Sequence, residues 1–173
     1  MTRVDLAKLF GKMGFRVGAE IGVCKGKFSR VLCWNIPDLV LYCIDTWKSD
    51  PNDPGDEGEL NEFNLAHARR ILKPFDATFI RNTSVEALSA FEDGELDFVY
   101  IDANHTFDYA MRDIIEWSRK VRVGGIVSGH DYYRLRNFGV ILAVDTYARA
   151  HRIEDVHILR GDHTPSWYWV KHG

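Results

Sequence analysis

Two short stretches of this chain gather ionisable side chains at a spacing that could do chemistry. Asp102-Ala103-Asn104-His105 closes one apolar run, and His130-Asp131 closes the next, within Ser128-Gly129-His130-Asp131-Tyr132. A single histidine leaving a strand is ordinary packing. Two aspartates and two histidines delivered to one rim are costly unless they hold a cation or move protons. The cluster therefore predicts either a bound cation at this rim or direct proton transfer through His105 or His130. His105 is the leading base, because an imidazole with an unperturbed pKa of about 6.5 suits that work.

Upstream lies a second set of candidates. Gly18-Ala19-Glu20-Ile21-Gly22-Val23-Cys24-Lys25-Gly26 places glycines at every fourth position. That spacing fits neither the dinucleotide fingerprint nor the phosphate-binding P-loop. What remains is an acid followed by turns in which the backbone can approach a ligand closely. Asp45, 25 residues after Glu20, closes Val40–Asp45. Its carboxylate can accept two hydrogen bonds from a ribose diol or cap a loop. Trp47 can stack on an adenine or pack in the core. After Arg81, Asn82 and Ser84 can face an adenine edge; Ser84 can equally cap a helix beginning near Val85, with Glu86 in its first turn.

The elements that would position these residues follow from apolar periodicity. Runs at Val17–Val23, Val40–Asp45, Ala77–Asn82, Leu96–Asp102 and Gly125–His130 are nearly continuous in apolar residues, as in parallel strands buried on both faces. Helical patterns separate them. Phe107, Ala110, Met111, Ile114, Ile115 and Val121 repeat at three and four residues, and Gly124-Gly125 is expected to stop that helix. Such alternation predicts right-handed crossovers and a sheet covered on both faces. Val156–Arg160 and Trp167–Val170 are too close for a parallel crossover and should be antiparallel neighbours. The expected fold class is α/β: a Rossmann-like three-layer sandwich on a seven-stranded, mostly parallel sheet. Ligands of such sheets bind beyond the carboxyl ends of the strands.

Composition narrows the classes further. The chain has 173 residues, 46% apolar and 27% charged, with a net charge of −3. At that length roughly 70% of the unfolded surface is buried on folding, and one domain over 1–173 is expected. Residues 1–16 would form an amphipathic N-terminal helix, and the acidic stretch 48–62 a solvated lid loop. No apolar run reaches the ~18 residues of a membrane span, and no signal-peptide pattern opens the chain. Mild acidity argues against a broad nucleic-acid surface. Cys24, Cys33 and Cys43 fit no metal-site spacing and read as reduced thiols of a cytoplasmic protein.

The stretches GAEIGVCKGKFS (18–29), CIDTWKSD (43–50), DFVYIDANHTFDYAMRDI (97–114), VGGIVSGHDYY (123–133) and FGVILAVDTY (138–147) carry a resemblance. Together the chain resembles the class I S-adenosylmethionine-dependent methyltransferases, in particular methyltransferase family 24. The resemblance implies a strand order of 3-2-1-4-5-7-6 with the last strand antiparallel. It implies S-adenosylmethionine as cofactor: Glu20, Gly22 and Gly26 around its amino-acid portion, Asp45 on the ribose, Thr46 and Trp47 beside the adenosine, Asn82 and Ser84 near the adenine, and Asp102 below them. Relatives that methylate hydroxyls hold a divalent ion at the ends of strands four and five. Asp102 and Asp131 match that pattern, whereas His130 stands where some of them carry an acid. The expected reaction is O-methylation of a small-molecule or sugar hydroxyl, assisted by magnesium or manganese, with oligomerisation available to complete the pocket. The competing readings are a metal-dependent hydrolase or oxygenase using the Asp/His cluster, which would not need a ribose acid at Asp45, and a non-catalytic cofactor-binding module, which would not need the cluster.

Overall fold

The computed structural model describes residues 1–50, 53, 61–134 and 138–173. Most of the acidic lid stretch lies outside the described residues. Strands and helices alternate as α1 (Arg3–Lys12), β1 (Val17–Ile21), α2 (Lys27–Asn35), β2 (Val40–Asp45), α3 (Asn61–Leu72), β3 (Asp76–Arg81), α4 (Ser84–Ala87), β4 (Leu96–Ile101), α5 (Phe107–Lys120), β5 (Val121–Gly129) and α6 (Val140–Ala150), closing with β6 (His157–Leu159) and β7 (Ser166–Val170). The seven strands form one sheet in the order β3-β2-β1-β4-β5-β7-β6. Pairings from β3 to β5 are parallel, and β7 is antiparallel to both β5 and β6.

The near-continuous apolar strands feed two cores through the period of two. Phe98 and Tyr100 of β4 point to a core with Leu6 and Phe10 of α1, Phe28 and Leu32 of α2, and Leu65 and Leu72 of α3. Val99 and Ile101 point to the opposite core, with Ala110, Ile114 and Trp117 of α5 and Val140 and Val144 of α6, and Leu96 joins them beyond a register shift between Leu96 and Phe98. Helices thus cover both faces of the sheet.

Two expectations need correction. The apolar run at strand three predicted burial on both faces, yet no residue of β3 is fully buried. β3 is the outer strand and pairs only with β2, a fact of sheet order that local apolarity does not carry. Nor does α5 run on to Gly124-Gly125. It ends at Lys120, and Val121 opens β5, pairing with Leu96. The β-branched Val121 and Val123 favour extended backbone, and the extra residues are taken up by a register shift in the β4–β5 ladder.

The end of the sheet away from the candidate residues is pinned by Asp97. Its carboxylate accepts the backbone N–H groups of Arg16 (2.6 Å) and Val17 (3.0 Å) and the Arg122 guanidinium (2.7 Å). Partial burial pushes that carboxyl up, but these hydrogen bonds outweigh it and hold its pKa below the ordinary value.

Candidate active site

The carboxyl ends of β1, β2, β4 and β5 open into a cleft of about 910 Å³, within the usual range for small-molecule sites. At the β1–β2 end the geometry is set largely by main chain. Gly22, with φ +88°, sits so close to β4 that an added Cβ would lie 1.9 Å from the Asp102 carbonyl oxygen. Gly26, with φ +70°, caps α2. Asp45 caps the turn rather than standing free: Oδ2 accepts the N–H groups of Val23 (2.9 Å) and Cys24 (2.8 Å), and Oδ1 accepts that of Trp47 (2.7 Å). A carboxylate offers about four acceptor positions, so this capping leaves room for one more donor from the cleft. Cys24, Trp47 and Asp131 adopt positive φ of 49°, 45° and 56°. Non-glycine residues in that region cost of order 1–3 kcal/mol each and cluster at functional sites.

Glu20 is buried at the cleft floor and accepts a hydrogen bond from the Ser29 hydroxyl. Burial pushes its carboxyl up to about 8, and only the Ser29 bond works strongly against that shift. Thr46 exchanges hydrogen bonds with Lys48 (3.1 and 3.3 Å). The Trp47 ring packs into the core, only 2% exposed, its Nε1 donates to the Cys24 carbonyl at 2.9 Å, and the residue also lines the cleft.

At strand three, Asn82 lines the cleft and its Oδ1 accepts the Thr83 N–H at 3.0 Å. Thr83, not Ser84, is the N-cap of α4, in a reciprocal capping box with Glu86. The reason is reach: only the residue three positions before Glu86 can exchange both bonds. Ser84 lines the cleft too, but its hydroxyl donates to Asp113 (2.5 Å) and accepts from Trp117 Nε1 (2.8 Å), tying α4 to α5. Asp113, missed by sequence reading, is buried there, and burial raises its carboxyl to about 6.

The β4–β5 end is built from side chains. His105 lies between two carboxylates, with Nδ1 2.9 Å from Asp53 Oδ1 and Nε2 2.7 Å from Asp131 Oδ2. Its ring stacks on Phe138 at 4.5 Å. Burial alone would lower its pKa, but the bonds to Asp131 and Asp53 raise it to about 10. His130 places Nδ1 3.3 Å from Asp131 and 3.6 Å from Asp102, while Nε2 meets the Thr164 hydroxyl at 2.9 Å. It too is raised, to about 9, by Asp102 and Asp131 against burial. Burial would raise Asp131, yet the two imidazoles hold its carboxyl well below the usual range. The argument for His105 as a base rested on an unperturbed imidazole. Here both ring nitrogens face carboxylates, which raise its pKa above the ordinary imidazole value.

One ligand atom each from Asp102, His105 and Asp131 lies within 4.8 Å of the others. The methyltransferase reading of the sequence put His130 in that set, and the hydrolase or oxygenase reading put His105 there. His130 reaches the same carboxylates with Nδ1, 3.3 Å from Asp131 and 3.6 Å from Asp102, while its Nε2 meets Thr164. Asp53 and Thr164 were also missed. Asp53 was one acid among several in a polar stretch. Thr164 sits between the last two strands and reaches the rim only through their antiparallel return.

The strand order, the turn of glycines after β1, the carboxylate closing β2 and the acids leaving β4 and β5 together define a class I S-adenosylmethionine-dependent methyltransferase. A sequence profile described as a methyltransferase domain, methyltransferase family 24, matches residues 19–132, and the chain belongs to that family. A search of the curated proteins finds no match. Among solved structures, a cofactor-bound protein from MTB is similar over 99% of this chain and 80% of its own, with TM-score 0.70 and 16% identity. An O-methyltransferase from Bacillus cereus in complex with SAH is similar over 98% of this chain and 80% of its own (TM-score 0.71, 14% identity). An O-methyltransferase family protein from Burkholderia thailandensis is similar over 98% of this chain and 55% of its own (TM-score 0.68, 13% identity). At these identities the likeness shows the fold. No helix among the described residues is long and apolar enough to cross a membrane, and no disulfide joins the three cysteines.

Proposed function

We propose that this protein methylates a hydroxyl of a small-molecule acceptor, with a divalent cation held by Asp102, His105 and Asp131. The observation that carries the reading is the convergence of those three ligand atoms on the cleft that the β1 and β2 turns also line. S-adenosylmethionine supplies an electrophilic methyl group on a sulfonium. A divalent cation on the cluster supplies the charge that brings an acceptor hydroxyl's pKa toward neutrality.

The residues fit both groups. Asp45, held by three backbone N–H groups, keeps acceptor capacity for a ribose hydroxyl, and Gly22 keeps the β1 turn close to β4. At the other end, Asp131 faces His105 Nε2 at 2.7 Å and His130 Nδ1 at 3.3 Å, and Asp102 faces His130 Nδ1 at 3.6 Å. A mixed set of two carboxylates and one imidazole suits manganese better than magnesium, which takes oxygen ligands. Asp53 orients His105 from behind, as outer partners of metal-bound imidazoles commonly do. Phe138 and Tyr133 border the rim and keep water from one side of it. Holding nucleophile, methyl and sulfur in line is the chain's main contribution, and such alignment supplies about 7–11 kcal/mol of barrier reduction.

Formation of S-adenosylhomocysteine is the readout, with sugar, phenol and amine acceptors, on chelator-treated protein with and without manganese or magnesium. Turnover should need the metal, and Asp131→Asn should lower it by about 10²-fold or more with S-adenosylhomocysteine affinity within about twofold. Equal turnover with and without metal defeats the cation assignment; turnover only on amines defeats O-methylation.

A further inference from the structure

At the β1 end of the cleft a cation and an acid sit near each other without being paired. Arg3, the first residue of α1, lines the cleft. Its guanidinium lies over the Phe28 ring, 5.5 Å from the centroid. Phe28 is itself packed against Tyr100, with centroids 4.3 Å apart, so the platform under the guanidinium is rigid. The residue is held in place through its main chain. The Arg3 N–H donates to Asp162 at 2.7 Å, and Gly161 N–H donates to the Met1 carbonyl at 2.9 Å. The Asp162 carboxylate is therefore engaged by the backbone. Among the described residues no carboxylate forms an ion pair with the Arg3 guanidinium.

Glu20 is the complementary case. Its carboxyl lies on the cleft floor and accepts only from Ser29, with no cation bonded to it among the described residues. Arg3 and Glu20 still feel each other's charge. A guanidinium without a carboxylate partner and a buried carboxyl with one hydrogen bond are both under-satisfied at the cleft wall, and a ligand end bearing a carboxylate and an ammonium gives each a partner. A guanidinium stacked on a ring keeps its N–H edges free, and its fork matches a carboxylate in two parallel bonds. An α-amino acid end presents one carboxylate and one ammonium on a single carbon, and the cofactor of this class carries such an end.

We propose that Arg3 receives the α-carboxylate of S-adenosylmethionine, with Glu20 facing its ammonium group, so that the N-terminal helix completes the cofactor site. This rests on the S-adenosylmethionine reading and assigns a residue outside the matched family segment, 19–132.

The test is isothermal titration of the full chain with two probes, S-adenosylhomocysteine and its decarboxylated form, which keeps the ammonium and the adenosine. Wild type should bind the decarboxylated probe at least tenfold more weakly. In Arg3→Gln that preference should collapse to about one, through weaker binding of S-adenosylhomocysteine alone. Arg3→Lys, keeping the charge without the fork, should recover part of it. A global disturbance would weaken both probes equally, leave the ratio unchanged and overturn the assignment. A wild-type ratio near one, with both probes bound, overturns it as well while leaving the cofactor reading intact. If wild type binds neither probe, the cofactor reading itself falls.

Discussion

At the β1–β2 end of the cleft, the contacts that fix geometry run through the main chain. Asp45 gathers three N–H groups, and Gly22 is pressed against the Asp102 carbonyl. At the β4–β5 end they run through side chains: Asp53, His105, Asp131, His130 and Thr164 form a relay of bonds between 2.7 and 3.3 Å. A wall closed on main-chain groups, by Gly22 directly and by the Asp45 carboxylate, can change only with the backbone around it. A side-chain-built rim can be retuned residue by residue. One cleft thus joins a wall whose partners are mostly main chain to a rim whose partners are side chains.

The comparison breaks first at Gly22. Gly22→Ala puts a methyl group 1.9 Å from a main-chain oxygen at φ +88°. The expected result is loss of soluble protein or a fall in Tm of more than about 10 °C, read by thermal unfolding. A variant that melts like wild type would show that the wall is not main-chain controlled.

Glu20 sharpens the picture, because it is a buried ionisable side chain within the fixed wall. Its folded pKa is raised to about 8 from 4.5. Between those values the unfolded state has released a proton that the folded state keeps, so stability falls as pH rises through that window. Glu20→Gln, which carries no such proton, should raise Tm by roughly 5–10 °C at pH 8.5, with the gap closing toward pH 4.5. A gap of constant size across that range would show that burial does not hold the Glu20 proton.

The smallest effect belongs to the rim. Thr164→Val removes the hydroxyl that meets His130 Nε2 at 2.9 Å. Turnover should fall about tenfold, in the range of lost outer partners at such sites. Tm and S-adenosylhomocysteine affinity should hold, and Thr164→Ser should recover the rate. Unchanged turnover would mean that the rim does not depend on how His130 is oriented.

Much of this was legible in the sequence. The apolar runs place the ends of β1, β2, β4 and β5 within one or two residues. The shortness of the 161–166 link forces the antiparallel return. What stayed hidden depends on sheet order and long-range return. The exposure of β3 follows from its place at the edge. Val121 continues a helical period and still pairs with Leu96, because tertiary pairing overrides local preference. How His105 and His130 share the cluster is a matter of side-chain direction, set by Asp53 on one side and Thr164 on the other; spacing along the chain does not encode it. Glycines 22 and 26 were singled out as ligand turns, yet their first constraint is contact with β4 and the cap of α2.

Asp97 clamps the foot of β1 to β4 and, through Arg122, to β5, at the end of the sheet opposite the cleft. A fan riveted at its handle spreads only at the tips. The same clamp that keeps the strand origins together leaves any breathing of the molecule to the tips, where ligands must come and go.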